Sequence, residues 1–250
     1  MEKLFINPHM DGSSFFFPGG PVGILLIHGF TATTVEVRPL GEFFRDHGYT
    51  VAAPLLPGHF TTLDDLNAKK WQNWTNAAED QLHQLLHTCE QVFVGGESMG
   101  GLISLYLAAR TPHIRGLMLF APALQSPNLW MAEWLAPFMR HTRPSPLDEV
   151  TPWQGYAAKP LRAAAQLYRF QGVVRALLPQ ITQPAVIFQS HHDQTIDPVS
   201  AEKVLEGIAS QDKSLHWMDQ SGHCILLDPD FPAAAELCLQ FVRKHTAPTA

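Results

Sequence analysis

Residues 91–110 constrain the fold more tightly than any other stretch of the chain. An apolar run, Val92-Phe93-Val94, leads into Gly96-Glu97-Ser98-Met99-Gly100-Gly101, and Leu102-Ile103-Ser104-Leu105-Tyr106-Leu107 continues as a helix. A G-x-S-x-G pentapeptide gains meaning in this strand–turn–helix setting, where a sharp turn pushes the serine hydroxyl out beyond a buried strand. The turn strains the serine backbone and brings together the residues two before and two after it. Side chains would collide there, so glycine at 96 and 100 is a steric requirement. The same turn aims the Met99 N–H at the site, near the positive end of the helix that follows. Ser98 is the candidate nucleophile; the competing reading is a glycine-rich turn with an incidental serine.

The rest of the chain repeats this alternation. Val22 to Ile27 is a continuously apolar run ending at His28-Gly29, as expected of a parallel strand buried on both faces. A helical pattern through Leu40, Phe43 and Phe44 stops at His47-Gly48, and Tyr49 to Ala53 is the next strand. Helices are predicted over residues 70–88, 99–110 and 232–244, with strands over 91–95, 116–121, 185–189 and 214–218. This alternation implies a mostly parallel central sheet with helices on both faces. It breaks between Leu124 and Gln183, a stretch with prolines, tryptophans and short helical patterns but no convincing strand. Structureless loops of that length, roughly sixty residues, are rare in compact domains. The expected organisation is a core of residues 1–124 and 184–250 with an inserted helical cap over 125–183.

Among thirteen histidines, His223 is the best placed to be a general base. Ser221-Gly222-His223 lies between the last strand and the last helix, at the same carboxyl edge of the sheet as Ser98. A surface histidine, or a structural partner of Asp228, is the alternative. Asp193 follows the 185–189 strand at that edge, and the order Ser98, Asp193, His223 is the one used with a strand–turn–helix nucleophile. Asp197, before Pro198, reads instead as a helix cap. The residues after the preceding strand, Ala121 to Gln125, offer no carboxylate. His191-His192-Asp193 could be taken for a metal cluster, but adjacent side chains at a strand end point different ways and no third ligand spacing follows, so no metal is expected. His28-Gly29-Phe30-Thr31 ends the first long strand, and its turn brings the Phe30 N–H toward that of Met99. Together they form a candidate oxyanion hole, with His28 bracing the loop.

Composition narrows the partners. The net charge is −6 and no run of Lys and Arg appears, so the electrostatic attraction that drives nucleic-acid binding has no source. Three cysteines, Cys89, Cys224 and Cys238, show no paired or zinc-type spacing. The opening residues Met1 to Pro8 lack a signal-peptide pattern, and no apolar run approaches bilayer length. The expectation is a cytoplasmic protein without stable membrane insertion; the oligomeric state is not legible.

Taken in order, His28-Gly29-Phe30-Thr31, Leu56-Pro57-Gly58-His59, Trp71-Gln72-Asn73-Trp74, Gly96 to Gly101, His192-Asp193-Gln194-Thr195-Ile196 and Ser221-Gly222-His223 resemble the small bacterial carboxylesterases and monoacylglycerol lipases of the α/β-hydrolase superfamily. The resemblance covers nearly the whole chain and is weakest over residues 125–183. It implies the α/β-hydrolase fold and cleavage of a small-molecule carboxylic ester through an acyl-enzyme, without a cofactor. Glu97 departs from the small or apolar residue usual before the serine. In the cap, Leu129 to Met139 is rich in large apolar residues, with Trp130 and Trp134 one helical turn apart. Trp130, Trp134 and Phe138 are candidates for an apolar substrate pocket suited to short-to-medium acyl chains; cap-to-core packing is the plain alternative. Thioester, amide or carbon–carbon bond hydrolysis on the same triad stays open, as does a slow-turnover ligand receptor.

Overall fold

The computed structural model describes residues 5–143 and 152–246. Residues 1–4 of the amino-terminal segment, 144–151 of the expected insertion, and 247–250 lie outside the described residues. The chain opens with β1 (Phe5–Ile6), β2 (Phe15–Phe17) and β3 (Val22–Ile27), followed by α1 (Arg38–Asp46), β4 (Thr50–Ala53), α2 (Leu63–Ala68) and α3 (Trp71–Thr88). The centre is β5 (Gln91–Glu97), α4 (Met99–Arg110) and β6 (Ile114–Phe120). Then come α5 (Met131–Leu135), β7 (Gly155–Tyr156) and α6 (Leu161–Leu177), and the chain closes with β8 (Ala185–Ser190), α7 (Val199–Gly207), β9 (Lys213–Met218) and α8 (Phe231–His245).

Among the described residues the main sheet has seven strands in the order β2-β4-β3-β5-β6-β8-β9, antiparallel only where β2 meets β4. Because strand side chains alternate, each central strand feeds two cores. Leu25 and Ile27, Val92 and Val94, Leu117 and Leu119, and Ala185 and Ile187 join one apolar cluster with α3, α4 and α7. Ile24 and Leu26, Phe93, Met118 and Phe120, and Val186 and Phe188 face the other, built with α1 and α8. This double burial explains why these strands read as unbroken apolar runs in the sequence. The parallel arrangement puts the carboxyl ends of β3, β5, β6 and β8 along one edge, where loops can carry chemistry. No helix among the described residues is long and apolar enough to cross a membrane.

Three features were not anticipated. Phe15–Phe17 adds an antiparallel edge strand too short to show a period, and Leu63–Ala68 is a brief helix capped by the Thr62 hydroxyl, which accepts the Asp65 N–H. Within the segment expected to lack strands, Gly155–Tyr156 pairs antiparallel with Phe5–Ile6, a two-residue ladder with no sequence signature. Tyr156 also donates its backbone N–H to the Thr31 carbonyl at 2.9 Å, tying this segment to the loop after β3.

The later part of the segment between β6 and β8, around α6, docks firmly. Leu167, Phe170 and Val174 of α6 belong to the main apolar cluster, and Phe170 stacks on Trp71 with ring centroids 5.2 Å apart. Gln171 reaches the Ala123 carbonyl at 2.7 Å. Nearer the sheet edge, Ala132, Leu161, Ala164 and Ala165 form a small cluster that includes Phe30 at its border. Removing a large aromatic from such a site leaves a cavity that the surroundings fill only in part. Phe170→Ala is therefore expected to lower the unfolding free energy by about 3–5 kcal/mol, measured by urea denaturation. A loss under about 1 kcal/mol would mean that α6 is not part of the cooperative core.

Candidate active site

Ser98 sits between β5 and α4 at φ 57°, ψ −114°, a region that a residue with a Cβ occupies only under constraint. The constraint is visible on both sides of the turn. The Ser98 N–H donates to the Phe120 carbonyl at 2.8 Å, and its carbonyl accepts from the Ala123 N–H at 3.1 Å. A Cβ on Gly96 would lie 2.5 Å from the Gly100 carbonyl carbon, and one on Gly100 would overlap the Ile27 carbonyl oxygen. The two glycines thus let the turn close against β3. Ser98 itself stays 7% exposed at the sheet edge.

Asp193 and His223 meet from the loops after β8 and β9. His223 Nδ1 lies 2.8 Å from Asp193 Oδ2, and the Asp193 side chain is inaccessible to solvent. The carboxylate is held from all sides: Gln189 Nε2 donates to Oδ2 at 3.0 Å, and the Thr195 and Ile196 N–H groups donate to Oδ1 at 2.8 and 2.9 Å. Burial alone would raise its pKa, but the hydrogen bond and charge of His223 and the two backbone donors outweigh that and hold the carboxyl below its ordinary value. An ionised Asp193 fixes the proton of His223 on Nδ1 and leaves Nε2 as the free base. The rival partner, Asp228, is engaged elsewhere, accepting the Gly222 N–H at 2.7 Å. Asp197 accepts from Val199 N–H at the start of α7, the geometry of a cap. His191 stacks on Trp217 and faces Asp219 at 3.8 Å, so the His191-His192-Asp193 trio does not converge.

The loop after β3 carries Phe30. Neither the Phe30 nor the Met99 N–H has a hydrogen-bond acceptor among the described residues, which leaves both able to serve an oxyanion. His28 braces this loop. Its Nε2 accepts the Leu56 N–H at 3.0 Å, so Nδ1 carries the proton and donates to the Gly29 carbonyl at 2.9 Å. Burial, only partly countered by that last bond, lowers the His28 pKa to about 4.

Sequence reasoning missed the group beneath these loops. Glu36, in a 3₁₀ turn after β3, and Glu97, beside Ser98, approach Cys224, beside His223, with one ligand atom of each within 4.8 Å of the others. Glu97 was visible as an unusual neighbour of Ser98; nothing local marks Glu36 or Cys224. Among the described residues this is also the one group with metal-capable atoms gathered. Both Glu36 oxygens, however, already accept hydrogen bonds, from Gly29 N–H and from Trp153 Nε1–H. The three proposed pocket residues lie open to solvent: Trp130 is 51%, Trp134 74% and Phe138 87% exposed.

Comparison with known proteins agrees with this architecture. The family described as serine aminopeptidase, S33 (Hydrolase_4) matches residues 22–230. A thermostable monoacylglycerol lipase of Bacillus sp. (strain H-257) is 33% identical over 95% of this chain and 97% of its own, and a carboxylesterase of Bacillus subtilis (strain 168) is 28% identical over 92% and 96%. Among solved structures, one from work on the metagenome-derived lipolytic enzymes LipS and LipT superposes with a TM-score of 0.88 at 32% identity, covering 94% of this chain and 98% of the other.

The buried His28 gives a pH prediction. Its folded pKa, about 4, lies below the ordinary 6.5, so between those values the unfolded chain takes up a proton that the folded chain refuses. That stability is fully present above pH 6.5 and is lost as the pH falls toward 4, about 3 kcal/mol in all. The unfolding free energy of the wild type minus that of His28→Asn should shrink by this amount between pH 7 and pH 4. A pH-independent difference would show that His28 is not held neutral.

Proposed function

The chain belongs to the serine aminopeptidase S33 family of α/β-hydrolases, and we propose that within it the protein hydrolyses carboxylic esters through a Ser98–His223–Asp193 triad. The observation that carries the mechanism is the hydrogen bond from His223 Nδ1 to a buried Asp193, on the same sheet edge as the strained turn at Ser98. His223 Nε2 takes the Ser98 proton as Oγ attacks the ester carbonyl, and Asp193 holds the tautomer and stabilises the imidazolium. The Phe30 and Met99 N–H groups receive the charge that develops on the carbonyl oxygen. The imidazolium then protonates the departing alcohol, and water repeats the sequence to release the acid. The cycle draws only on these groups and water.

The substrate reading follows from the relatives and the cap. A monoacylglycerol lipase and a carboxylesterase are the named activities of two relatives that match over most of the chain. Residues 125–183 act in this proposal as a cap inserted into a core of 1–124 and 184–250. Its rim residues Trp130, Trp134 and Phe138 offer apolar surface to a short-to-medium acyl chain as it enters. The protein works in the cytoplasm, in keeping with three cysteines that are all free thiols, and with a net charge of −6 it takes no nucleic-acid partner. The family description favours a second reading, hydrolysis of an amide or peptide bond by the same groups.

Ser98→Ala should abolish ester hydrolysis while the unfolding midpoint stays near that of the parent. Asp193→Asn, which favours the wrong imidazole tautomer, should lower kcat by about 10⁴-fold. Undiminished turnover by purified Ser98→Ala would refute the triad. A p-nitrophenyl ester series run beside the matching anilides separates the two readings: preference for short-to-medium esters supports the first, and faster anilide cleavage the second.

A further inference from the structure

The residue before the nucleophile carries a carboxyl group that acyl transfer, as proposed above, does not use. Glu97 is fully buried. Its Oε1 accepts the Leu226 N–H of the histidine loop at 3.3 Å, while its Oε2 has no hydrogen-bond partner among the described residues. Glu36, also buried, is better supplied. Its Oε2 accepts the Gly29 N–H of the oxyanion loop at 2.5 Å, and its Oε1 accepts from Trp153 Nε1–H at 3.2 Å and from the Cys224 thiol at 3.8 Å. Each carboxyl therefore ties one loop of the site to another, and an oxygen of each lies within 4.8 Å of the other.

Two carboxylates so close and so dry do not both ionise. The arrangement says which one keeps the charge. Three donors on Glu36 favour the anion there; an orphaned oxygen on Glu97 is resolved if that oxygen carries a hydroxyl hydrogen and becomes a donor. The surrounding charges agree. Burial pushes the Glu97 pKa well above the usual carboxylate range, Glu36 and Asp228 push it further, and the Leu226 and Ile225 N–H groups oppose this only in part. Burial also raises the Glu36 pKa above the ordinary carboxylate value, but Gly29 N–H, the charge of His223, Trp153 and Cys224 all oppose that rise in part, and no such set of donors opposes it at Glu97. Burial, with the charges of Glu36, Glu97, Asp228 and Asp193, keeps Cys224 a thiol, and the largest influences on either glutamate include no Lys or Arg.

We propose that Glu97 is a positioning residue held as a neutral carboxylic acid, whose Oε2–H is donated to the Glu36 carboxylate so that one shared proton joins the nucleophile turn, the oxyanion loop and the histidine loop. The inference rests on the triad reading only where it concerns turnover. With the proton in place a single negative charge faces His223 from Glu36 and favours the imidazolium of the transition state. Loss of the proton puts a second negative charge next to Ser98, where an oxyanion must form, and opens the link between the loops. Activity should therefore fall on the alkaline side as Glu97 ionises.

Infrared difference spectroscopy and pH–rate profiles test this together. In the Ser98→Ala protein at pH 7, a carbonyl band of a protonated carboxylic acid, shifted in deuterated water, should be present and should vanish when Glu97→Gln is added. This arm needs no turnover, so its outcome is independent of the triad. In the active protein, with p-nitrophenyl butyrate, Glu97→Ala should lower kcat roughly 10²-fold with little change in KM, the effect of misplaced groups. Glu97→Gln keeps a donor for Glu36 and an acceptor for Leu226, so it should recover most of that loss and lack the alkaline decline. Absence of the band would overturn the proposal. So would a Glu97→Gln profile superimposable on the wild type at high pH, or a Glu97→Gln defect as deep as that of Glu97→Ala. If Glu97→Ala does not fold, the band and the Glu97→Gln profile decide.

Discussion

At the end of β5 the backbone doubles back between Gly96 and Gly100 with no room for a side chain against the Ile27 carbonyl, and Ser98 is left at a positive φ. Positions of this kind cost of order 1–3 kcal/mol and persist only where their surroundings over-determine them. Here β3 and β6 do so, through the wall formed by Ile27 and through hydrogen bonds to Phe120 and Ala123. The hydroxyl is thus aimed by the sheet itself. Every other part of the site has to be brought to it, and the sheet order decides which loops can arrive.

That order places β3 beside β5 on one side and β6 then β8 and β9 on the other. The loop after β3 therefore carries Phe30 at the sheet edge on one flank of Ser98, and the loops after β8 and β9 carry Asp193 and His223 at that edge on the other. Rigidity is supplied locally at each arrival. Asp193 is clamped by Gln189 and two backbone donors, and the Gly222-His223 turn is pinned by Asp228 and by Asp230, which holds Ser221. On the β3 side, His28 and Glu36 hold the loop that carries Phe30 from within. The buried glutamates lie where these flanks meet. These two buried carboxyls sit beside the constrained turn at Ser98, a place where a hydrogen-bonded acid can specify position in a way that apolar packing cannot.

The segment between β6 and β8 has two characters. Its later helix, α6, is anchored in the main core by Phe170 and Gln171. Its earlier part, around α5, presents Trp130, Trp134 and Phe138 to solvent. Under the proposed function, a fixed root with an apolar rim suits a water-insoluble acyl chain, since the rim meets the substrate before the triad does.

Much of this was legible in the residues. The parallel strands announce themselves because burial on both faces demands unbroken apolar runs, and the turn at Ser98 because only glycine fits at two fixed offsets. The placement of Asp193 and His223 followed from strand ends alone, since a parallel sheet delivers those ends to one edge. Short elements escaped: Phe15–Phe17 and the Phe5–Tyr156 pairing are held by partners distant in sequence and have no period of their own. Glu97 stood out only as an unusual neighbour of Ser98, and Glu36 and Cys224 not at all. Local chemistry, in which residue types at short spacing satisfy backbone geometry and burial, is written along the chain. The meeting of Glu36, Glu97 and Cys224 is not, because it depends on three loops converging at a depth and distance that only the packed sheet determines.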